Sequence, residues 1–369
     1  METDSLQISL ITCSPGQDTY AMFGHTGIRV NYAYQFRDYV FNYGMFNYKS
    51  ENFIYRFVKG ETDYILGVEP TDFFFTRYNE PGITVTEQIL NLTEKEKETL
   101  AGKLEENALP QNRTYRYNWL YDNCTTRARD IIESSIDGKV SYPAEGDYST
   151  TTRSILHNYT AVSDWTQFGI DLVLGEEIDR PLTDRQQMFI PANYMNAAGQ
   201  AVITDDAGNQ RPLISSTVTP IKSDSARAVD NNHSALMCTT GLFFISVGLA
   251  LLELKRKKTY RWFDASLAFI LGLAGCLIAF LFFFSEHAGV STNYLVILLN
   301  PLHFIAIPFI LKRKTKVVSY VTLADILLLV LTILLTGQAF NIAILPVVLT
   351  LLVRVIVNLR IFSYLCNRN

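Results

Sequence analysis

Apolar residues are distributed in two unlike ways along the 369-residue chain. Up to about Asn232 they come singly or in short alternation among Tyr, Asn, Thr and Asp, whereas from Ala235 onward Leu, Ile, Val, Phe and Ala predominate. The second half holds five long apolar runs: Ala235–Leu254, Ala265–Phe284, Tyr294–Leu311, Val317–Leu335 and Ala339–Leu359. A helix needs about 20 such residues to cross the hydrocarbon core of a bilayer, so residues 233–369 are predicted to form an all-α transmembrane domain of five helices. The connections orient it. Lys255, Arg256, Lys257, Lys258 and Arg261 follow the first run, and Lys312, Arg313, Lys314 and Lys316 follow the third; the second and fourth connections carry no Lys or Arg. Basic loops stay on the cytoplasmic side, which places residues 1–232, the His287 loop and the Gln338 loop outside the cytoplasm and the C-terminal tail inside. Asp325 and Arg354 fall within runs and are expected to face partners in the bundle. Asn300-Pro301 interrupts the third run, either as a kink or as an opening toward lipid.

In the first half, period-two alternation predicts strands at Gly27–Tyr34 and Asp38–Gly44, paired across a short turn, and a third at Ile83–Leu90. Asn91–Leu100 reads as a helix with Thr93 as N-cap, because acids follow it and the apolar positions recur at helical spacing. A further helix opens at Cys124 and brings Ala128, Ile131, Ile132 and Ile136 onto one face. From about 163 to 232 the pattern weakens to a hairpin turn at Asp205–Asn209 and, from Thr217, a polar linker. Residues 1–232 are therefore predicted as one extracytoplasmic α+β domain.

Composition narrows the function. With 32 Lys and Arg against 36 Asp and Glu the net charge is −4, and the polar half has no basic stripe, so no nucleic-acid partner is expected. The five cysteines are widely spaced, without a Cys-x-x-Cys or Cys/His cluster, so neither a metal nor a cofactor is expected. An exported N-terminal domain calls for a signal peptide, and Met1-Glu-Thr-Asp-Ser-Leu6 lacks that pattern. The chain is expected to be of mature length with an added or retained Met.

The candidate chemistry centres on Cys124. At a helix N-terminus the unpaired N–H groups and the helix dipole favour a thiolate over a thiol, and the same N–H groups suit an oxyanion. Such a nucleophile takes a histidine as base and a third polar group to orient it. Of the five histidines, His25 starts a strand among small residues (Phe23-Gly-His-Thr-Gly27), and Asn42 on the neighbouring strand is the candidate orienter. A structural role for both residues stays open, as does a Cys13–Cys124 disulfide; Asn123-Cys-Thr125 also matches a glycosylation sequon. Arg29, Arg127 and Arg129 read either as phosphate contacts or as solvated faces, and Tyr43 and Tyr121 either as hydroxyls near the site or as core. The aromatic-rich stretches Tyr39–Tyr48, Asn52–Phe57 and Phe73–Tyr78 read either as core or as a surface that dips into the membrane interface.

Gly24-His25-Thr-Gly27 on a strand, followed far downstream by Asn123-Cys124 opening a helix, resembles the circularly permuted papain-like (NlpC/P60) group, which includes proteins similar to lecithin:retinol acyltransferase. The runs Leu10–Gly16, Phe23–Val30, Asp38–Gly44, Arg56–Gly60 and Tyr121–Arg127, together with Ser285-Glu-His287, Asn293 and Leu299-Asn-Pro-Leu-His303, are similar to the Lnb family. That resemblance implies a permuted papain-like periplasmic domain joined to a transmembrane domain in the bacterial cytoplasmic membrane. It implies lipoprotein N-acylation: a fatty acyl chain passes from a membrane phospholipid, through a Cys124 thioester with His25 and Asn42, to the α-amine of a diacylglyceryl lipoprotein. On the same resemblance Arg29, Tyr43, Tyr121, Arg127, His287 and Asn293 become candidate substrate contacts. Two other readings stand beside it: a hydrolase of the same fold acting on a lipid ester or a peptidoglycan amide, and a non-catalytic receptor or scaffold.

Overall fold

The computed structural model describes residues 6–366 apart from 17, 19, 20, 48, 145–148, 224–229 and 231. In chain order the first elements are β1 (Leu6–Cys13), β2 (His25–Tyr32), β3 (Arg37–Met45), α1 (Phe53–Lys59), β4 (Asp63–Pro70), α2 (Thr71–Tyr78), β5 (Val85–Leu90), α3 (Glu94–Asn107), β6 (Thr114–Arg116) and α4 (Cys124–Glu133). Then come β7 (Lys139–Ser141), α5 (Thr152–Thr160), α6 (Asp164–Val173), α7 (Asp184–Gln187), α8 (Pro191–Gln200), β8 (Val202–Thr204), β9 (Gln210–Pro212) and β10 (Ile214–Ile221). The remaining helices are α9 (Ser234–Arg256), α10 (Arg261–Phe284), α11 (His303–Leu311), α12 (Thr315–Thr336) and α13 (Ile344–Cys366). The chain divides into two compact units, Met1–Ile155 with Pro181–Ala228, and Leu156–Arg180 with Val229–Asn369.

The first unit is α+β. Its seven-stranded antiparallel sheet has the order β10-β5-β1-β2-β3-β4-β6, and β7-β8-β9 form a second, small sheet. On one face Leu10, Ile28, Val30 and Phe41 meet Leu100 and Leu104 of α3, Ala128 and Ile132 of α4, and Tyr194 and Ala198 of α8. On the other, Ile11, Cys13, Val40 and Val85 meet Phe74 of α2. Covered on both faces, β1 is buried at every position but Gln7, which explains why its alternation is faint in sequence. Thr93 does cap α3, in a reciprocal box with Glu96, and Asp205–Asn209 is the predicted turn, closed from Asp205 N–H to the Asn209 carbonyl.

The stretch expected to be a linker from Thr217 is different. Ile214–Ile221 is an edge strand paired with β5, and its exposed side chains carry no burial pattern for sequence to register. The interval from 163 also contains two helices, α6 and α8, of ten residues each.

The second unit is helical. Residues 156–180 group with it: Phe168 and Leu172 of α6 pack on a core of Leu267, Leu271, Leu295, Leu299 and Leu351, and the Asp164 carboxylate accepts from the Ala235 amide at the start of α9 at 2.6 Å. His157 Nε2 meets the buried Asp171 carboxylate at 2.9 Å, which Asn341 Nδ2 also reaches at 2.9 Å. Among the described residues three helices are long and apolar enough to cross a membrane: Ser234–Arg256, Arg261–Phe284 and Thr315–Thr336.

The predicted third span, Tyr294–Leu311, is not one helix. Tyr294–Ile297 is a single 3-10 turn, and α11 begins only at His303. Pro301 has no N–H to continue a helix, and local side chains satisfy the freed backbone: Asn300 Nδ2 donates to Ile297 O at 2.8 Å, and His303 Nε2 donates to Leu298 O at 2.8 Å. The break lies against α10 at two glycines, where a Cβ on Gly275 would stand 2.4 Å from the Asn300 backbone and one on Gly272 would stand 3.1 Å from the Phe304 ring. Of the two ionisable residues expected to face partners in the bundle, Arg354 does so, whereas Asp325 of α12 is half-buried with no ion-pair or hydrogen-bond partner among the described residues. Arg354 of α13 bridges Glu253 of α9 and Asp264 of α10, and Asn358 Nδ2 also donates to Asp264.

Gly275→Ala is expected to destabilise the helical unit by about 1–3 kcal/mol, the usual range for overpacking, while Gly248→Ala, whose Cβ would meet nothing within 4 Å, is neutral. Thermal unfolding in detergent distinguishes the two, and equal melting temperatures would remove the argument for close packing at the break.

Candidate active site

Asn123 fixes where α4 begins. Its side-chain oxygen accepts from the amides of Thr125 (2.8 Å) and Thr126 (3.0 Å), and the Thr126 hydroxyl accepts in return from the Asn123 amide at 2.8 Å. This capping box makes Cys124 the first helical residue and leaves its own amide outside the cap. Asn123 Nδ2 donates to the carbonyls of Trp119 and Phe189. Buried and fully engaged, Asn123 is no glycan acceptor in this fold.

Two glycines place the histidine. Gly24 has φ of +81°, and a Cβ there would lie 2.5 Å from the Cys13 carbonyl oxygen, so the chain turns tightly into β2. At Gly27 a Cβ would meet Val40 Cγ1 at 3.0 Å and Asn42 Oδ1 at 3.2 Å, and its absence lets the β3 side chains come close. α4 then docks on β2 through the hydroxyls of Thr26 and Thr125, 3.0 Å apart. Cys124 and His25 thereby come close enough for the charge of each to act on the other, and His25 Nε2 lies 3.1 Å from Asn42 Oδ1. The three residues singled out as nucleophile, base and orienter are thus brought together. Cys13 and Cys124 are both free thiols, so the disulfide alternative is not realised.

The electrostatics follow from that contact. Burial pushes the Cys124 thiol up, but the charge and hydrogen bond of His25, the Thr26 amide and the Thr125 hydroxyl outweigh it and hold the thiol below its ordinary value. Burial likewise pulls His25 down, but the charge and hydrogen bond of Cys124 and the Asn42 contact leave it above its ordinary value. A thiol lowered and an imidazole raised by each other favour the charged form of both, the direction that an activated cysteine needs. Cys13 shows what burial does without such help: its thiol is raised, and the charge of Cys124 raises it further.

Two residues of this site, Glu69 and Arg77, carry no signal in the sequence. Glu69 at the end of β4 accepts from Asn42 Nδ2 at 2.8 Å through Oε1 and pairs with Arg77 of α2 through Oε2. The Tyr78 ring lies parallel to His25, with 8° between planes and 6.0 Å between centroids. Next to Cys124, the bare Gly44 (φ +90°) admits the Tyr117 ring, from which aromatic contacts run through Tyr64 (4.2 Å) and Phe46 (5.0 Å) to Phe53 of α1 (5.9 Å). No residue of α1 is buried, and Ile54 is 77 % exposed.

The other candidate contacts are held elsewhere. Arg29 grips Asp38 and Glu87. Arg127 chelates Asp122 through two nitrogens with its guanidinium 3.6 Å above the Tyr115 ring, and Arg129 is buried against Asp130 and the Arg185 carbonyl. Tyr43 is buried and donates to Asn107 Oδ1 at 2.6 Å, while Tyr121 is exposed in the turn before α4. His287 and Asn293 lie in the helical unit, where Asn293 ties Leu172, Leu295 and Gln338 together. Among the described residues no group of three His, Cys, Asp or Glu side chains is set to hold a metal.

Two family models match the chain, the Lnb N-terminal periplasmic domain over residues 1–158 and the Lnb transmembrane domain over residues 230–364. No curated protein and no solved structure matches it. The chain carries both a periplasmic and a transmembrane Lnb domain, which supports its membership of the Lnb family.

Iodoacetamide is expected to alkylate Cys124 with a midpoint below the ordinary thiol value of about 8.5, because the thiolate is present as soon as pH exceeds the lowered value. In His25→Ala burial acts without the imidazolium, so the midpoint moves above the ordinary value. Peptide mass spectrometry across pH reads both, with the unreactive Cys13 as internal control; a wild-type midpoint at or above 8.5 contradicts the ion pair.

Proposed function

We propose that this membrane-anchored, Lnb-type protein is a lipoprotein N-acyltransferase with a permuted papain-like catalytic domain, in which Cys124 carries the acyl chain as a thioester. The observation that carries the reading is the Cys124–His25–Asn42 constellation on a chain that also holds membrane spans. Phospholipid donor and lipidated acceptor both reside in a bilayer, and a site tethered to that bilayer meets them without either leaving it. The basic connections after α9 and α11 favour a cytoplasmic C-terminus, with the sheet domain on the periplasmic side of the inner membrane.

The Cys124 thiolate attacks the ester carbonyl of a glycerophospholipid, and the tetrahedral oxyanion draws on the Cys124 amide and the N-terminal dipole of α4. As the C–O bond breaks, the His25 imidazolium gives its proton to the departing glycerol oxygen, and lysophospholipid leaves. The α-amine of a diacylglyceryl cysteine then attacks the thioester carbonyl, His25 takes a proton from that nitrogen, and the C–S bond breaks to restore the pair. Asn42 holds the Nε2 side of the ring so that Nδ1 serves both steps. The aromatic surroundings of Cys124 suit an acyl chain and disfavour the water that would turn transfer into hydrolysis.

Incubation with phospholipid and a diacylglyceryl lipopeptide is expected to add one acyl chain to the peptide amine. Without acceptor, a hydroxylamine-labile acyl group accumulates on Cys124. Cys124→Ala abolishes both, and His25→Ala lowers the rate by about 10²–10⁴-fold, the usual share of general acid–base catalysis. Release of free fatty acid with no lipopeptide product would replace this reading with the hydrolase.

A further inference from the structure

A side-chain amide is ambiguous: one end accepts a hydrogen bond and the other donates. Asn42 meets His25 with one end only, and which end decides the tautomer of the ring. If Asn42 presents its oxygen, Nε2 carries the proton and Nδ1 is left for the thiol. If it presents its NH2, Nε2 must be the bare nitrogen, Nδ1 carries the proton in the neutral ring, and His25 is no base toward Cys124.

We propose that Glu69, steadied by Arg77, is the positioning residue that resolves this ambiguity. A carboxylate only accepts, so at 2.8 Å from Asn42 it receives the NH2 end and forces the oxygen end toward Nε2, where it stands 3.1 Å away. The opposite orientation sets two acceptor oxygens against each other. Glu69 is fixed in turn: Arg77, eight residues further on and near the end of α2, holds its other oxygen, and β4 pairs with β3 so that Glu69 stands opposite Val40, two residues from Asn42. The groups around Asn42 therefore form one directional chain, Arg77 to Glu69 to Asn42 to His25 to Cys124, in which each member fixes the hydrogen-bonding sense of the next. The role rests on Cys124 and His25 being the reactive pair, but not on which acyl acceptor they serve.

The experiment reads the pair without any lipid. In full-length protein in detergent, Glu69→Gln keeps the shape but offers both a donor and an acceptor, so Asn42 is free to turn over. The alkylation midpoint of Cys124 is expected to rise by about one pH unit, which lowers the rate below both midpoints about tenfold, at an unchanged melting temperature. Adding Asn42→Asp restores the wild-type profile, because a carboxylate at 42 can only accept from Nε2 whatever stands at 69. Arg77→Met, which loosens Glu69 without removing it, moves the midpoint in the same direction by less. An unchanged profile in Glu69→Gln, or a raised one that Asn42→Asp does not reverse, reduces Glu69 to a stitch between strands and overturns the proposal. An ordinary thiol profile in the wild type would instead sink the reactive pair itself, and absence of acyl transfer with a lowered wild-type profile would sink only the transferase reading.

Discussion

The site depends on one constraint: a cysteine and a histidine share a desolvated place in which each favours the charged form of the other. Burial opposes the charge on each, and their mutual attraction and surrounding hydrogen bonds reverse it. An isolated charge at that depth would neutralise; opposite charges side by side sustain each other. Several otherwise unrelated features answer to this requirement. The Asn123 cap sets the start of α4 so that the thiolate takes the positive end of the helix. Gly24 and Gly27 bring β2 and β3 close enough for His25 to reach both partners. The Thr26–Thr125 contact locks helix to strand at the level of the pair, and the Thr26 amide adds a donor to the sulfur.

Part of this was legible in the sequence and part was not, for physical reasons. A cysteine opening an amphipathic helix is visible because capping and periodicity are local, and Ala128 and Ile132 do form the buried face that brings α4 onto the sheet. His25 and Asn42 were visible as neighbours because a short hairpin fixes its own pairing. Glu69 and Arg77 were not, since their role arises from β4 pairing with β3 and from α2 folding back over it; no spacing along the chain encodes that. Arg29, Arg127 and Tyr43 stand out in the sequence by side-chain chemistry alone. Each was flagged for its chemistry, and each turns out to hold Asp38, Asp122 or Asn107 within the fold, because a cation or hydroxyl near a site is more readily satisfied by a neighbour than left for a ligand.

The helical unit shows the same logic under a harsher solvent. Where water is absent every backbone group needs a protein partner, and the broken third run meets that demand locally through Asn300 and His303. Hydropathy registers only that the run is apolar, and so reads it as one span. The grouping of residues 156–180 with the helices was hidden for a related reason. Their apolar positions are interleaved with Asp164, Asp171 and Glu177, and each of these acids has a partner in residues 229–369: the Ala235 amide, Asn341 and the Gly289 amide. A window of average hydropathy discards the polar anchors that make the association specific.

In the proposed acyl transfer, a thioester would set two opposed demands on its surroundings. The nucleophile must be charged, which favours polar partners and hydration, yet the intermediate must be kept from water, which favours an apolar enclosure. The fold separates the demands by direction. On one side of the sulfur stand His25, Asn42, Glu69 and Arg77, every one of them engaged; on another stand Gly44 and the contacting rings of Tyr117, Tyr64, Phe46 and Phe53. The polar side favours charge through fixed hydrogen bonds, which on the proposed function would still act when a chain of methylenes covers the aromatic side. Asn42, Glu69 and Arg77 on that side are bonded to one another or to His25, so an arriving acyl chain would find them already partnered. On the proposed function, a charged nucleophile thus becomes compatible with a greasy substrate.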